Sequence, residues 1–124
     1  FVGTVRDIND DAPVSSMLLE HYPGMTERAL EAIVTDARAR FDILDALVIH
    51  RVGRLAPRDA IVLVAVTGAH RGAAFDACAF IMDYLKTRAP FWKKETTPTG
   101  ERWVEARDSD DAAAARWSAP GDAG

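Results

Sequence analysis

Residues 80–95 read Phe-Ile-Met-Asp-Tyr-Leu-Lys-Thr-Arg-Ala-Pro-Phe-Trp-Lys-Lys-Glu, and the periodicity of the chain changes within this stretch. Its first half completes a run of apolar residues at helical spacing, which predicts a helix over Ala73–Lys86. Pro90 ends that helix, because the residue before a proline avoids the helical region of backbone space. The apolar face of the predicted helix carries Phe75, Cys78, Ala79, Met82 and Leu85.

The residues after Pro90 have the composition of a β-hairpin. Phe91–Thr97 and Glu101–Ala106 flank Pro98-Thr99-Gly100, a sequence typical of a tight turn. Successive side chains of a strand point to opposite faces of its sheet, so Lys93 and Lys94 are predicted on different faces.

The remaining elements follow from the same patterns. They are strands over Phe1–Val5 and Val14–Tyr22, a helix capped by Thr26 that ends near Phe41, and an antiparallel pair formed by Ala46–Val52 and Ile61–Thr67 around the turn Pro57-Arg58-Asp59. A polar loop covers Asp7–Pro13, and Ser109 caps a last helix over Asp110–Trp117. The order predicts an α+β fold, a mostly antiparallel sheet packed with two main helices, plus a C-terminal hairpin and a short helix.

Length and composition limit the possible classes of protein. The chain has 124 residues, which fits one domain over residues 1–117 with a flexible tail over 118–124. It opens in what resembles the middle of a strand, so we expect an N-terminal segment to precede it. The net charge of −4 argues against a nucleic-acid-binding protein. A single cysteine, with no apparent membrane span or signal peptide, predicts a soluble cytoplasmic protein.

The stretch Tyr84–Lys94 concentrates positive charge without an acidic residue, in the side chains of Lys86, Arg88, Lys93 and Lys94. Cations near a helix C-terminus are common and often simply solvated, because the helix dipole favours them. Pro90-Phe91-Trp92, however, places apolar bulk among these charges. A lysine between apolar walls and other cations loses part of its preference for the proton, which suits acid–base or electrophilic chemistry. We therefore predict an anion-handling site here.

Other candidate residues are weaker. Ala69-His70-Arg71-Gly72 precedes a helix start, where backbone N–H groups attract anions, although a plain loop with a solvated arginine explains it equally well. Arg6 follows the first strand and alone indicates little. His21 and His50 belong to apolar strands, where a structural imidazole is favoured, and Cys78 falls on an apolar helix face. Three histidines and one cysteine at scattered spacings form no metal signature.

Six ordered strings are distinctive when taken together. They are Phe-Val-Gly-Thr-Val-Arg (1–6), Leu-Glu-His-Tyr-Pro-Gly-Met (19–25), Ile-His-Arg-Val-Gly (49–53), Ala-His-Arg-Gly-Ala-Ala-Phe (69–75), the string 80–95 quoted above, and Gly-Glu-Arg-Trp-Val-Glu-Ala (100–106). From Phe1 to about Trp117 the chain closely resembles the large, catalytic subunits of molybdopterin synthase, the MoaE family. The resemblance implies an α/β-hammerhead-like fold.

The resemblance further implies a sulfurtransferase of molybdenum cofactor biosynthesis. In that family the large subunit forms a homodimer, and two copies of a small ubiquitin-like carrier complete a heterotetramer. The carrier inserts its Gly-Gly C-terminus, charged as a thiocarboxylate, into the large subunit. Two sulfurs pass in turn to cyclic pyranopterin monophosphate (precursor Z), which gives molybdopterin. The family uses no metal or organic cofactor for this step, and neither a nucleic acid nor a membrane is implied as a partner.

The resemblance also implies functional positions. Lys86 and Lys93 match the family's two active-site lysines; we assign Lys86 to the carrier's thiocarboxylate and Lys93 to substrate activation or proton transfer. The implied substrate-binding residues are Thr4, Val5, Arg6, His70, Arg71, Lys86, Lys93, Lys94 and Glu95, of which His70 and Arg71 serve the neighbouring subunit's site. Lesser candidates are Phe1, Met82 and Arg107.

Two other functions remain open from the residues alone. The same cations would serve a non-catalytic module that grips the C-terminal tail of a carrier protein, since no self-sufficient catalytic set occurs in the sequence. They would also serve an unrelated domain that binds a phosphate ligand.

Overall fold

The computed structural model describes residues 1–9, 12–104 and 108–118. The strands are β1 (Val2–Thr4), β2 (Ile8–Asn9), β3 (Ala12–Pro13), β4 (Ser16–His21), β5 (Asp45–His50), β6 (Gly53–Leu55), β7 (Ala60–Thr67), β8 (Phe91–Thr97) and β9 (Gly100–Val104). The helices are α1 (Met25–Arg40), α2 (Arg71–Arg88) and α3 (Asp108–Ala115), and a 3₁₀ turn over Arg116–Ser118 follows α3. None of the helices in these ranges is long and apolar enough to cross a membrane.

The strands form two main antiparallel sheets. The first has the order β1-β7-β5 and the second β6-β4-β8-β9, while β2 and β3 form a short ladder of their own. The predicted pair of apolar strands is β5 and β7, which run in register from Asp45 opposite Thr67 to His50 opposite Val62. The predicted hairpin is β8 and β9, with Lys93 opposite Val104. The α+β class and both predicted pairings are confirmed.

One connection differs from the prediction. The turn Pro57-Arg58-Asp59 does not join the two paired strands directly, because β6 precedes it and pairs with β4 in the second sheet. Gly53 begins β6 at φ +90, a conformation that glycine adopts without steric cost. Leu55 in β6 lies opposite Met17 and is only 1% exposed, so burial stabilises this three-residue strand in the second sheet.

The element ends also differ in detail. Thr26 is not the cap of α1, which begins at Met25 after the N-cap residue Gly24. The buried Thr26 hydroxyl instead donates to the carbonyl of Pro90 at 3.2 Å, which ties the start of α1 to the start of β8. Helix α2 is longer than predicted at both ends. The predicted loop Asp7–Pro13 contains the β2–β3 ladder.

Three predictions depend on parts of the chain outside the description. They are the cap assigned to the Ser109 side chain, the strand end at Ala106, and the tail from residue 119 onwards.

The main core lies between the first sheet and helices α1 and α2. Phe80 of α2 is fully buried there and meets the rings of Phe41, Tyr84 and Trp117 edge-on. The chain beyond α3 is held to α2 through Asp83, whose carboxylate accepts a hydrogen bond from Trp117 Nε1 at 2.7 Å. This attachment brings α3 alongside the C-terminal half of α2.

Candidate active site

Strand β8 divides the candidate residues between two faces of the second sheet. Phe91, Lys93 and Glu95 lie on one face and Trp92 and Lys94 on the other, as the alternation of a strand requires. We call the first the inner face, because Glu95 on it is only 4% exposed, and the second the outer face, because Trp92 on it is 43% exposed.

Lys93 is the central residue of the inner face. It lies opposite Leu19 of β4 and Val104 of β9, so apolar side chains flank it on both neighbouring strands. Burial lowers the pKa of Lys93 from the ordinary lysine value of 10.5, and the positive charges of Lys86 and Arg6 lower it further. Lys93 therefore holds its proton less firmly than a solvated lysine does.

Lys86 approaches the same place from the last turn of α2. Its Nζ lies 3.7 Å from Oδ1 of Asp110 in α3, and its side chain is 43% exposed. Asp110 and Glu95 raise the pKa of Lys93, which opposes the effect of the surrounding cations. We call Lys86, Lys93, Arg6 and Asp110 the lysine cluster; helices α2 and α3 contribute Lys86 and Asp110, and strand β8 contributes Lys93. The positive charge of the cluster is only partly offset.

Lys94 has a different environment on the outer face. Its ammonium group pairs with Glu101 at 3.0 Å and lies 5.3 Å from the centre of the Trp103 ring, which is exposed. Lys94 is thus on the face opposite Lys93, partly exposed, and its charge is stabilised by an acidic partner and an aromatic ring.

Glu95 is buried on the inner face, two residues beyond Lys93. Arg102 lies directly opposite it on β9, and both Nε and Nη2 of Arg102 donate to Glu95 Oε1 at 3.3 Å. The bonds from Arg102 fix the position of the Glu95 carboxylate and balance its charge.

The N-terminal candidates differ in accessibility and in their relation to the lysines. Arg6 is exposed, and its charge acts on Lys93. Val5 is buried, and its backbone is engaged with the turn after β6: its N–H donates to Asp59 at 2.9 Å, and its carbonyl accepts from Arg58 at 2.8 Å. Thr4 is the last residue of β1 and Phe1 precedes that strand, and both are exposed.

The sequence of this chain matches a known protein family. Residues 1–88 match the family described as MoaE protein. The chain belongs to the MoaE family. It is similar to the molybdopterin synthase catalytic subunits of Ralstonia nicotianae (68% identical over 94% of this chain and 66% of that protein) and Yersinia pestis (63% identical over 94% and 78%). The chain therefore spans just under two thirds of the length of the first relative.

A solved structure agrees with these relatives. The molybdopterin biosynthesis MoaE protein from Burkholderia ambifaria is 63% identical and superposes with a TM-score of 0.79 over 95% of this chain and 77% of that one. The fold implied by the sequence resemblance is therefore confirmed as that of a MoaE protein.

The remaining candidates from the MoaE resemblance lie elsewhere. His70 is the N-cap residue of α2, and Arg71 is the first residue of that helix; both are exposed. Arg71 and Lys86 are separated by most of α2, about 22 Å at 1.5 Å per residue. One chain therefore does not bring His70 and Arg71 to its own lysine cluster. Met82 packs against the main core, and Arg107 lies outside the described residues.

The sequence patterns missed two groups near the lysines. Asp110 belongs to an acidic run, and no local signal connects that run with Lys86. His50 is the last residue of β5, and its ring stacks on Phe91 with ring centres 3.9 Å apart. Arg88, which the sequence grouped with the cations, instead lies over the Tyr84 ring at 3.8 Å.

Proposed function

We propose that this chain is the catalytic subunit of a molybdopterin synthase. It transfers sulfur from the C-terminal thiocarboxylate of a small ubiquitin-like carrier to cyclic pyranopterin monophosphate, which becomes molybdopterin. The observation that carries this proposal is the convergence of three cations from different elements: Lys86 from α2, Lys93 from β8 and Arg6 from the segment after β1. Both the carrier terminus and the substrate phosphate are anions, and converging cations bind such groups strongly.

The two lysines have different environments and therefore different proposed roles. Lys86 is exposed at the helix end, where an extended tail from another protein can reach it, so it stabilises the carrier's terminal thiocarboxylate. Lys93 is enclosed and has a lowered pKa, so it activates the pterin or moves a proton. Each transfer forms a carbon–sulfur bond at a side-chain carbon of the pterin and breaks the carbon–oxygen bond that this carbon held. The acyl carbon–sulfur bond of the carrier breaks, and addition of water leaves a carboxylate.

The sulfur in this proposal comes from the carrier. Cys78 supports this reading, because its Sγ points to the Val64 carbonyl at 3.9 Å, beside the main core. The described site residues are suited to binding and charge stabilisation rather than to sulfur delivery. The proposed step requires no metal or organic cofactor, and we place it in the cytoplasm, where a free cysteine stays reduced.

The proposed assembly is a homodimer with two carriers, a heterotetramer. The separation of about 22 Å between Arg71 and Lys86 along α2 supports this assembly. At that distance His70 and Arg71 do not reach the lysine cluster of their own chain, and in the proposed dimer they complete the site of the other copy. Arg6, Lys93 and Glu95 belong to the pterin pocket in this proposal. Thr4, Val5, Lys94, Phe1, Met82 and Arg107 are assigned to its surroundings.

Reconstitution tests the reaction directly. The chain is mixed with thiocarboxylated carrier and cyclic pyranopterin monophosphate, and molybdopterin is measured after a single turnover. We expect Lys86→Ala and Lys93→Ala, separately and together, to lose at least about 100-fold in rate. Full activity of the double variant would refute the assignment of the site.

A second experiment tests the shared site. Chains carrying His70→Ala are mixed with chains carrying Lys86→Ala, and mixed dimers are isolated by two different affinity tags. One of the two sites in each mixed dimer then has both residues intact, so activity recovers to a part of the wild-type value. Confirmed mixed dimers without any recovery would contradict the shared site.

The alternative is a module that binds the carrier tail without converting a substrate. The observation that favours it is the composition of the described cluster, which consists of charged groups and contains no thiol that could carry sulfur. Carrier binding by calorimetry and turnover by product analysis separate the two functions. A pure binding module would retain the carrier and never produce molybdopterin.

A further inference from the structure

His50 connects the two sheets next to the lysine cluster. It ends β5 in the first sheet, whereas its ring lies against Phe91, the first residue of β8 in the second sheet. The two rings stack with centres 3.9 Å apart and planes 18° from parallel. Phe91 is two residues before Lys93 and on the same face, so the ring of His50 supports the strand end from which Lys93 projects.

The tautomer of His50 follows from its hydrogen bond. Nδ1 lies 2.8 Å from the carbonyl oxygen of Arg51. A carbonyl only accepts, so Nδ1 carries the hydrogen and donates it, and Nε2 of the neutral ring keeps its lone pair. Burial lowers the pKa of His50 from the ordinary value of 6.5, and the positive charge of Lys93 lowers it further. The neutral ring is therefore the main form at pH 7.

Lys93 is the charged group that acts on this ring, and further charged groups act on Lys93. Lys93 acts on it from β8, and the backbone carbonyl of Arg51 favours its protonated form. His21 of β4 lies opposite Phe91 and is itself 3.9 Å from Glu27. Around Lys93 stand Lys86, Arg6, Asp110 and Glu95. Protonation of His50 would add another cation to a place where Lys86, Lys93 and Arg6 already repel each other.

We propose that His50 is a positioning residue for Lys93. As a neutral ring it holds Phe91 and the start of β8 in place. When acid protonates the ring, its charge repels the Lys93 ammonium group, which moves out of position, and the reaction slows. The effect on turnover rests on the proposed function. The coupling between His50 and Lys93 does not, because it is a property of the folded chain alone.

The first experiment measures that coupling without any substrate. The three histidine rings are followed by NMR as the pH is lowered, and His50 is assigned by the signal missing from His50→Phe. We expect its midpoint to lie below 6.5, to rise in Lys93→Met, and to stay unchanged in Lys94→Met, whose side chain is on the outer face. Equal shifts in the two lysine variants, or none in either, would overturn the proposal.

The second experiment uses the reconstituted reaction and separates packing from protonation. His50→Ala removes both the ring and the proton site, so we expect kcat to fall about ten-fold at pH 8 with little change in KM. His50→Phe keeps a stacking ring, so it recovers most of that loss and no longer slows as the pH falls from 7 to 5. His21→Phe is the matched control and keeps the wild-type decline.

Thermal unfolding of each variant shows whether it is folded. If His50→Ala does not fold, the pH dependence of His50→Phe carries the test. An acid decline that persists in His50→Phe, or a full rate in folded His50→Ala, would overturn the positioning role. If wild-type chains give no molybdopterin, the proposed function fails, and the NMR titration still decides whether His50 and Lys93 are coupled.

Discussion

The two faces of β8 place adjacent lysines in opposite physical situations. Lys93 on the inner face lies between Leu19 and Val104, within reach of other cations, and has a lowered pKa. Lys94 on the outer face has an acidic partner at 3.0 Å and an aromatic ring beside it. The charged form of lysine is therefore destabilised on the inner face and stabilised on the outer face. A lysine kept where it costs stability is a better candidate for chemistry than one with a stabilising partner.

The largest difference is expected in activity. Lys93→Ala should lower the rate of sulfur transfer at least about 100-fold, because in the proposed function this lysine activates the pterin or moves a proton. Lys94→Ala should lower it less than about five-fold, since its ion pair is exposed to solvent. Single-turnover formation of molybdopterin measures both. Equal losses in the two variants would show that Lys94 also reaches the substrate.

The second difference concerns the arginines on the two faces. Arg102→Ala weakens the support of a buried carboxylate, so we expect a loss of about 2 kcal/mol in the free energy of unfolding. Arg54 on the outer face donates to Ser16 Oγ at 3.2 Å in an exposed position, and Arg54→Ala should change stability by about 0.5 kcal/mol or less. Urea unfolding compares them, and a cost for Arg54→Ala as large as that for Arg102→Ala would remove the distinction between the faces.

The third difference has the opposite sign. Lys93→Met removes a charge that the fold holds at a cost, so it should stabilise the chain by about 1 kcal/mol at pH 7 while abolishing activity. A group with a lowered pKa costs stability below its folded pKa and ceases to do so above its unfolded pKa. The gain should therefore shrink as the pH rises towards 10.5, the ordinary lysine value. Lys94→Met is the control, and a gain there of similar size and pH dependence would contradict this explanation.

The smallest effect is expected away from both faces. Cys78→Ser keeps a donor for the Val64 carbonyl, so turnover should match the wild type and the free energy of unfolding should fall by about 1 kcal/mol. Loss of sulfur transfer in a folded Cys78→Ser chain would mean that the sulfur passes through this cysteine.

Local sequence patterns predicted most of the secondary structure and part of the site. The β5–β7 pair and the β8–β9 hairpin follow from strand composition and turn residues, which act over short distances along the chain. The separation of Lys93 from Lys94 follows from the alternation of a strand. The strand β6 could not be predicted in the same way, because its three residues are stabilised by Leu55 packing in another sheet.

The sequence by itself determined the family, the order of the main elements, and the concentration of cations around Pro90. Only the tertiary structure decided which of those cations act together. Asp110 and His50 come to the lysines from distant parts of the chain. Arg88 instead lies over the ring of Tyr84, one turn earlier in α2. The physical reason is that a pattern along the chain fixes the face on which a side chain lies. The charges and rings that meet it there come from long-range packing, and that packing sets its pKa.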